Sequence, residues 1–353
     1  MKRLLSYLSA SLVVLFAVLG AVPASAANNG SSGLSITPRK NYVINPGQTI
    51  NDKLTIGNLS SSDDLTVSLR MIDFTFTNQS GTPKLFLADN APQTAWSLKP
   101  FTTLPKTVTV PAHQTKTIQY SITVPKNTGA GSYYSAILYQ AGAATSGQVA
   151  LNASGVTLVF VSVPGVVKEN MTVQKFGAYN SVDNGVTGSF VFIATQNAPQ
   201  MIAYALKNNG NVAESPAGSI TLKDMFGHQI SSINKTNINS SLALLGQTRL
   251  FTTCIKTVQE KIKLEGGTST NTSCTNPGLW PGRYTATLDI FYGQNGNQTH
   301  EVTATASFWY LPWWFIIAVI IILLLIVWAV WWLKRKIRGA LNGSNKQVGT
   351  RRR

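Results

Sequence analysis

The feature that most constrains this chain is a long apolar segment close to its C-terminus. Residues 311–333 contain no charged side chain. As an α-helix, this segment would be about 35 Å long, which suffices to cross the roughly 30 Å hydrocarbon core of a bilayer with some tilt. The sequence therefore predicts one membrane-spanning helix, with the rest of the chain folding outside the hydrocarbon core.

Aromatic and basic residues at the two ends of this segment predict how the helix sits in a membrane. Tryptophans concentrate at both ends, as expected for side chains at the headgroup levels, and basic residues follow at once. By the positive-inside rule, the residues after the helix are cytoplasmic. We assign 309–333 to the transmembrane helix and 334–353 to a basic cytoplasmic tail. The predicted membrane-interface anchors are Trp309, Trp313, Trp314, Trp331, Trp332, Lys334, Arg335 and Lys336.

The N-terminus has the three-part layout of a secretory signal peptide. Lys2 and Arg3 precede a short apolar run, and Ala24-Ser25-Ala26 supplies the small residues that a signal peptidase recognises. We predict a signal peptide over 1–26, cleaved after Ala26, and a flexible linker over 27–33; the alternative is an uncleaved anchor. The chain is then a single-pass plasma-membrane protein with an extracellular N-terminal ectodomain.

The net charge of +16 reflects this topology rather than a polyanionic ligand. Eight basic residues lie in 334–353 and two in the signal peptide, which leaves a net charge of about +6 on the roughly 280 residues between the signal peptide and the predicted helix. A nucleic-acid-binding protein would concentrate its charge on the folded domain, so we expect no nucleic-acid partner. The tail either fixes topology and attracts anionic lipid or docks a cytoplasmic partner, and its lack of apolar periodicity favours the first.

Hydrophobic residues between the two ends alternate with polar ones, as in strands that bury one face. The segments 116–124 and 283–292 show this most clearly. Further strands are predicted at 34–37, 49–56, 65–75, 149–163, 188–194, 201–206 and 219–222. Short strands separated by turn residues predict an all-β fold of two immunoglobulin-like β-sandwiches, at 34–166 and 167–308, followed by the transmembrane helix.

A weak internal repeat supports this division into two domains. Gly131-Ser132-Tyr133 and Gly282-Arg283-Tyr284 each open a strong strand. In β-sandwiches, a tyrosine at such a position often donates a hydrogen bond back across the corner. Tyr133 and Tyr284 are therefore either two such corner tyrosines or two ordinary half-buried side chains.

Cys254 and Cys274 are the two cysteines of the chain, and both lie in the predicted ectodomain. An even number of cysteines in an exported region predicts one disulfide, which would close a loop of about 20 residues and stabilise the domain by about 3 kcal/mol. The alternative is two free thiols. Two cysteines without nearby histidines fall short of the four ligands of a structural zinc site.

The sequence predicts neither an enzyme nor a cofactor or metal site. His113, His228 and His300 each lie in or near a predicted turn, and no paired-histidine motif or phosphate-binding loop occurs. The segment 232–235 has the serine–lysine spacing of penicillin-binding enzymes, but that motif requires a helix, whereas its neighbours favour a strand and a turn. The carboxylates in predicted turns could bind calcium or accept hydrogen bonds from the turn backbone, and we favour the second; they are Asp63, Asp64 and Asp224.

The first predicted domain carries motifs that resemble a known family. It contains Leu-Ser-Ile-Thr-Pro at 34–38, Asn-Pro-Gly-Gln-Thr at 45–49, Trp-Ser-Leu at 96–98 and Gly-Ser-Tyr-Tyr-Ser-Ala-Ile at 131–137. These motifs and the order of segments resemble the WxL-interacting proteins of Gram-positive bacterial surfaces. The resemblance implies that the first domain contacts peptidoglycan and that the second engages surface proteins. The cysteine-containing insertion departs from the family pattern.

We therefore expect a non-enzymatic, membrane-anchored binding or scaffold protein of the bacterial cell surface. Its expected partners are cell-wall polymer (peptidoglycan), other surface proteins, or both. The alternative is a membrane-tethered accessory factor that assists the folding or assembly of exported proteins by pairing an exposed sheet edge with them.

The predicted topology is testable by proteolysis of intact, wall-stripped cells. Added protease should digest the region before residue 309 and spare the tail, because the bilayer shields everything after the helix. Antibodies against the two ends of the chain would follow each region. A clipped tail beside a surviving ectodomain would reverse the orientation.

Overall fold

The computed structural model describes residues 34–347, except 78, 89, 142–153, 183–184, 265–266 and 294–298. The predicted signal peptide, its cleavage site at Ala26 and the linker over 27–33 lie outside the described residues. The same holds for the last six residues of the predicted tail, 348–353.

The first sandwich packs a four-stranded sheet, in the order β1-β3-β9-β7, against a five-stranded sheet, in the order β2-β11-β10-β4-β8. A separate hairpin, β5-β6, extends from it. The strands are β1 (Leu34–Ser35), β2 (Arg39–Val43), β3 (Thr49–Asn58), β4 (Leu65–Ile72), β5 (Phe74–Phe76), β6 (Pro83–Leu85), β7 (Thr102–Thr103), β8 (Thr107–Val110), β9 (Thr115–Thr123), β10 (Gly131–Ala141) and β11 (Ser154–Val163).

The second sandwich repeats this plan with sheets in the orders β13-β12-β15-β18 and β14-β22-β21-β16-β17. A two-stranded hairpin, β19-β20, is inserted between β18 and β21. The strands are β12 (Met171–Ser181), β13 (Gly188–Phe190), β14 (Ile193–Ala194), β15 (Met201–Asn208), β16 (Ala217–Lys223), β17 (Gln229–Ile233), β18 (Thr248–Cys254), β19 (Thr257–Leu264), β20 (Gly267–Cys274), β21 (Gly282–Tyr292) and β22 (His300–Tyr310).

Both sandwiches have an immunoglobulin-like topology, so the predicted fold class is confirmed. In each, the chain contributes an early strand to one sheet and then crosses to pair in parallel with the last strand of the other sheet. These parallel pairs are β2 with β11 and β14 with β22. Alternation of buried and exposed residues along β9 and β21 sends one side of each strand into its own core, as the period-two pattern predicts.

The two corner tyrosines make equivalent hydrogen bonds in the two domains. The Tyr133 hydroxyl donates to the Gly129 carbonyl at 3.0 Å, and the Tyr284 hydroxyl donates to the Trp280 carbonyl at 2.7 Å. Each bond spans four residues and fixes the entry into the central strand of the five-stranded sheet. The corner interpretation of the repeat is therefore the correct one.

Several predicted strands differ from the observed ones in their limits. The predicted strand over 65–75 is interrupted at Asp73, because this buried carboxylate accepts hydrogen bonds from the Ser97 and Ser135 hydroxyls at 2.7 and 2.9 Å. The predicted strand over 188–194 is two short strands, β13 and β14, because the chain changes sheets between them. Of the predicted strand over 149–163, the part at 149–153 lies outside the described residues.

The two domains meet through a shared aromatic cluster. Phe74, Tyr134 and Phe160 of the first sandwich pack with Leu244 of the second, and all four are buried. The ring centroids of Phe74 and Tyr134 are 5.2 Å apart, and those of Tyr134 and Phe160 are 5.8 Å apart. The chain itself passes between the domains over 164–170, and the predicted boundary at residue 166 falls in this segment.

Gly131 allows the closest backbone approach between the domains. The N–H of the next residue, Ser132, donates to the Asn211 carbonyl at 3.0 Å. The Asn211 side chain donates in turn to the Ala130 carbonyl at 3.0 Å. Gly131 has φ of 146°, and a Cβ added there would lie 2.7 Å from the Asn211 carbonyl oxygen. A side chain at this position would therefore both strain the backbone and push the domains apart.

One helix, α1 (Trp313–Gln347), follows the second sandwich. Within Trp313–Arg338, its most apolar 18-residue stretch has a mean hydropathy of 3.1 and none of that stretch is buried, so the helix is long and apolar enough to cross a membrane. The structure corrects the predicted start of the transmembrane helix. Trp309 lies in β22, where it pairs with Arg283, and not in the helix. The helix begins only after Pro312, whose carbonyl accepts the first helical hydrogen bonds. It also continues past residue 333, so the basic residues 334–338 are helical.

Replacing Gly131 with alanine should destabilise the junction by about 2–3 kcal/mol, because the Cβ meets the Asn211 carbonyl and the backbone is strained. Thermal unfolding of the detergent-solubilised chain measures the effect. Gly129→Ala is the matched control, since a Cβ there would meet only the Tyr133 hydroxyl, at 3.9 Å. Equal stability of the two variants would contradict this account of the junction.

Candidate binding groove at the junction of the two sandwiches

A groove of about 290 Å³ lies where the first sandwich meets the second. Its floor is the outer face of β2 and β11, and its other wall comes from the loops of the second sandwich. Its lining mixes aromatic, aliphatic and polar side chains: Arg39, Asn41, Val43, Phe160, Ala213 and Leu242. A concave surface that combines apolar side chains with a few polar ones is typical of a ligand-binding site.

The free edge of β2 borders this groove. β11 pairs with one side of β2, and within the described part of the chain no strand pairs with the other side. The Ile44 N–H donates to the Ser162 carbonyl, and the Pro38 carbonyl accepts from the Leu158 N–H. Because backbone groups alternate in direction along a strand, those of Asn41 and Val43 point away from β11. Val43 is 73% exposed, so this edge is accessible.

Arg39 gives the groove a cationic side. Its guanidinium carbon lies 4.8 Å from the centroid of the Phe160 ring, and its Nε donates to the Asn41 side-chain oxygen at 3.0 Å. Burial lowers the pKa of Arg39, although a guanidinium stays protonated at any physiological pH. The guanidinium therefore covers the largely buried Phe160 ring and presents a cationic surface to the groove.

The other face of β2 is anchored by a polar network that holds the strand in place. The Lys40 ammonium contacts the Asp52 carboxylate at 2.9 Å, and the Tyr42 hydroxyl bonds to both Asp52 and the Tyr120 hydroxyl. Although burial opposes ionisation, hydrogen bonds from Tyr42 and Lys40 lower the pKa of Asp52 to about 2. Burial raises the pKa of Tyr120 to about 12 and that of Tyr42 further, so both phenols stay neutral.

The far wall of the groove is fixed to the first sandwich by direct hydrogen bonds. The Ala213 N–H donates to the Ser132 hydroxyl at 2.9 Å, and Ala213 itself lines the groove. On the other side of the junction, the Leu250 N–H donates to the Gln79 carbonyl at 2.8 Å, and the Arg249 guanidinium lies 5.1 Å from the Phe76 ring centroid. The groove is therefore bounded by two domains in fixed contact.

A buried acidic cluster lies behind this wall. Glu214 is 1% exposed, and its Oε2 accepts a hydrogen bond from the Gly293 N–H at 3.2 Å. Burial and the nearby Glu169 carboxylate raise the pKa of Glu214 to about 7, and the hydrogen bond from Gly293 lowers it in part. Glu169 in turn contacts the His300 imidazole at 3.1 Å, and the ring of His300 stacks on Tyr292.

The cysteines and predicted membrane anchors lie away from the groove. Cys254 and Cys274 are joined by a disulfide at the base of the β19-β20 hairpin. Trp313 and Trp314 are exposed in the first turn of α1. After the apolar run of α1, two basic residues each lie over the indole ring one turn earlier. These pairs are Arg335 over Trp331 at 5.4 Å and Lys336 over Trp332 at 4.4 Å; Lys334 follows the apolar run.

Residues considered for chemistry hold turns instead. Ser232 lies in strand β17 and its hydroxyl donates to the Asn234 side chain at 2.8 Å, so the 232–235 spacing is not on a helix. The Asp224 carboxylate accepts from the N–H groups of Phe226 and His228 in the β16-β17 turn. Within the described residues, no three His, Cys, Asp or Glu side chains form a group that could hold a metal ion.

The groove itself was not predicted from the sequence. It forms because Arg39 and Phe160 become neighbours through the parallel pairing of β2 with β11, across more than 110 residues of chain. The sequence carries little signal for β2, since only Tyr42 and Val43 of its five residues are apolar and they are adjacent.

Known proteins resemble the chain only at the level of overall fold. No family model and no curated protein matches it. A chaperone–tip adhesin complex of CFA/I fimbriae matches with 10% identity and a TM-score of 0.36, covering 77% of this chain and 98% of that one. The class 5 fimbrial chaperone CfaA matches with 11% identity and a TM-score of 0.34, covering 77% of this chain and 98% of that one. The E. coli chaperone DraB matches with 15% identity and a TM-score of 0.31, covering 69% of this chain and 98% of that one. Similarity this low carries no argument about function.

Replacing Glu214 with glutamine should stabilise the protein at high pH. Because the folded-state pKa is about 7 and the ordinary value is 4.5, the wild-type group favours folding fully below about pH 4.5, and this contribution is lost as the pH rises through 7. The variant should therefore match the wild type at pH 4.5 and exceed it by up to roughly 3 kcal/mol at pH 8.

Denaturant unfolding of the detergent-solubilised chain at the two pH values checks this prediction. Glu301→Gln is the control, since Glu301 is exposed on β22. A destabilised Glu214→Gln variant at pH 8 would show instead that the charged carboxylate is needed in the fold.

Proposed function

We propose that this protein is a non-enzymatic, membrane-anchored surface protein that binds an extended segment of another exported protein in the groove between its two sandwiches. The observation that carries the proposal is the free edge of β2 beside a concave, mixed-polarity surface. An edge strand presents unpaired backbone groups, and an incoming strand can pair with them through main-chain hydrogen bonds. Neighbouring side-chain pockets then provide specificity.

The residues around the edge supply the contacts that such a segment needs. The outward backbone groups of Asn41 and Val43 would pair with the backbone of the bound segment. Side chains on one face of that segment would then reach Ala213 and Leu242 in the groove. The Arg39 guanidinium favours an acidic side chain or a carboxyl terminus at the neighbouring position.

The helix α1 supports a role at a membrane surface. With the basic residues that follow the apolar part facing the cytoplasm, both sandwiches are extracellular. This arrangement and the first-domain motifs support membership of the WxL-interacting proteins, which implies peptidoglycan or a surface protein as the partner.

Two roles use the same groove and differ in the lifetime of the complex. A scaffold would hold its partner permanently, whereas an accessory factor for folding or assembly would release it. Binding of cell-wall polymer rests on the family resemblance alone, so purified wall enters the test as a competing ligand.

Photo-crosslinking in living cells captures the bound partner directly and allows mass spectrometry to identify it. A benzophenone amino acid in place of Val43 should capture an exported protein. The same probe in place of Leu59, which is 59% exposed at the far end of β3, should capture far less of it. Equal capture at both positions, or capture of wall fragments alone at position 43, would contradict the proposed ligand.

Val43→Asp then tests whether the edge itself binds the captured protein. A carboxylate on the edge should weaken binding by about tenfold or more, since two backbone hydrogen bonds of about 1 kcal/mol each are disturbed. Leu59→Asp is the control and should change the affinity by less than about twofold. Surface plasmon resonance with the full chain in nanodiscs measures both.

A further inference from the structure

A cluster of exposed apolar side chains lies at the end of the second sandwich from which α1 emerges. Each of its members is between 41% and 78% exposed, although each is large and apolar. We call this cluster the basal surface; it comprises Phe192, Ile193, Met225, Phe226, Trp280 and Trp309.

Strand pairing places these residues at one end of the domain. Gly282 pairs with Tyr310, so Trp280 lies just beyond the end of β22. Lys223 pairs with Thr285, so the β16-β17 turn with Met225 and Phe226 lies at the same end. The Met225 sulfur lies 3.3 Å from the position that a Cβ on Gly282 would occupy, which puts the turn beside Trp280.

The start of α1 is fixed to this end of the domain. The Leu311 N–H donates to the Ala194 carbonyl at 2.8 Å, and the Trp313 N–H donates to the Thr195 carbonyl at 3.1 Å. Ile193, the residue before the first of these acceptors, pairs with Trp309. Trp309 and Trp313 are four residues apart, which spans at most about 14 Å.

The composition of the basal surface suits a bilayer surface better than water. Trp280 and Trp309 are of the residue type that concentrates at membrane interfaces, and Phe226 and Met225 are apolar side chains at the tip of a turn. Exposed basic residues lie around them at the same end, at Lys223, Lys256 and Arg283. The nearby Asp224 carboxylate is directed to the backbone and ring of His228.

We propose that the basal surface lies in the headgroup region of the same bilayer that α1 crosses. The second sandwich is then held against the membrane by its own apolar side chains and does not pivot freely on the helix. The inference rests on α1 spanning a membrane and is independent of what the groove binds. Its partner is a phospholipid bilayer, because the helix that continues from the surface can enter no other apolar phase.

Spin labelling of the full chain in liposomes of phosphatidylcholine and phosphatidylglycerol tests this proposal. Single cysteines replace Phe226 or Trp280 and carry a nitroxide, while the native cysteines stay in their disulfide. The measurement is the ratio of collision rates with oxygen, which concentrates in lipid, and with a water-soluble nickel complex. Ile238→Cys is the matched control, since Ile238 is apolar and 72% exposed at the opposite end of the domain.

The labels at 226 and 280 should show a ratio at least fivefold above that at 238, and the ratio should be unchanged in nanodiscs that hold one chain each. Ratios equal to that at 238 would overturn the proposal. A high ratio that disappears with one chain per nanodisc would assign the surface to a second copy and would overturn it equally. Failure of α1 to span the membrane is detected separately by proteolysis of the tail.

Discussion

The contact between the two sandwiches is the constraint on which the rest of the β-sheet region depends. The aromatic cluster of Phe74, Tyr134 and Phe160 covers part of the outer face of a sheet that would otherwise be solvated, and Leu244 of the second domain closes it. Gly131 lets the two backbones approach to hydrogen-bonding distance at the same place. Both contacts lie at the same part of the junction, beside the groove, and they hold the two walls of the groove together.

The groove places an unpaired strand edge against that fixed junction. On the face of β2 opposite the groove, Lys40 and Tyr42 bind Asp52 of β3. These contacts anchor the strand whose other edge is free. The low pKa of Asp52 keeps this anchor charged at physiological pH. An edge strand that is supported in this way is suited to pair with a partner, whereas an unsupported one would fray.

The opposite end of the molecule is organised around the entry into α1. Two backbone hydrogen bonds join the chain at the start of the helix to the last residue of β14 and to Thr195, so the helix begins in direct contact with the second sandwich. With the basal surface at the bilayer, the groove lies at the far end of the second sandwich and faces away from the membrane. Under the proposed function, this geometry leaves the free edge of β2 open to its partner.

The sequence by itself determined the features that depend on local pattern: the apolar helix, the period-two strands of two sandwiches, and the equivalence of Tyr133 with Tyr284. Local pattern could not place Trp309, because an aromatic residue before an apolar run suits a strand end as well as a helix, and only pairing with Arg283 decided it. The tertiary structure alone brought Arg39 beside Phe160 and buried Glu214 near Glu169. These contacts join residues far apart in the chain, and they form only because particular strands pair. Hydrophobic periodicity predicts strands but does not say which strands pair with each other.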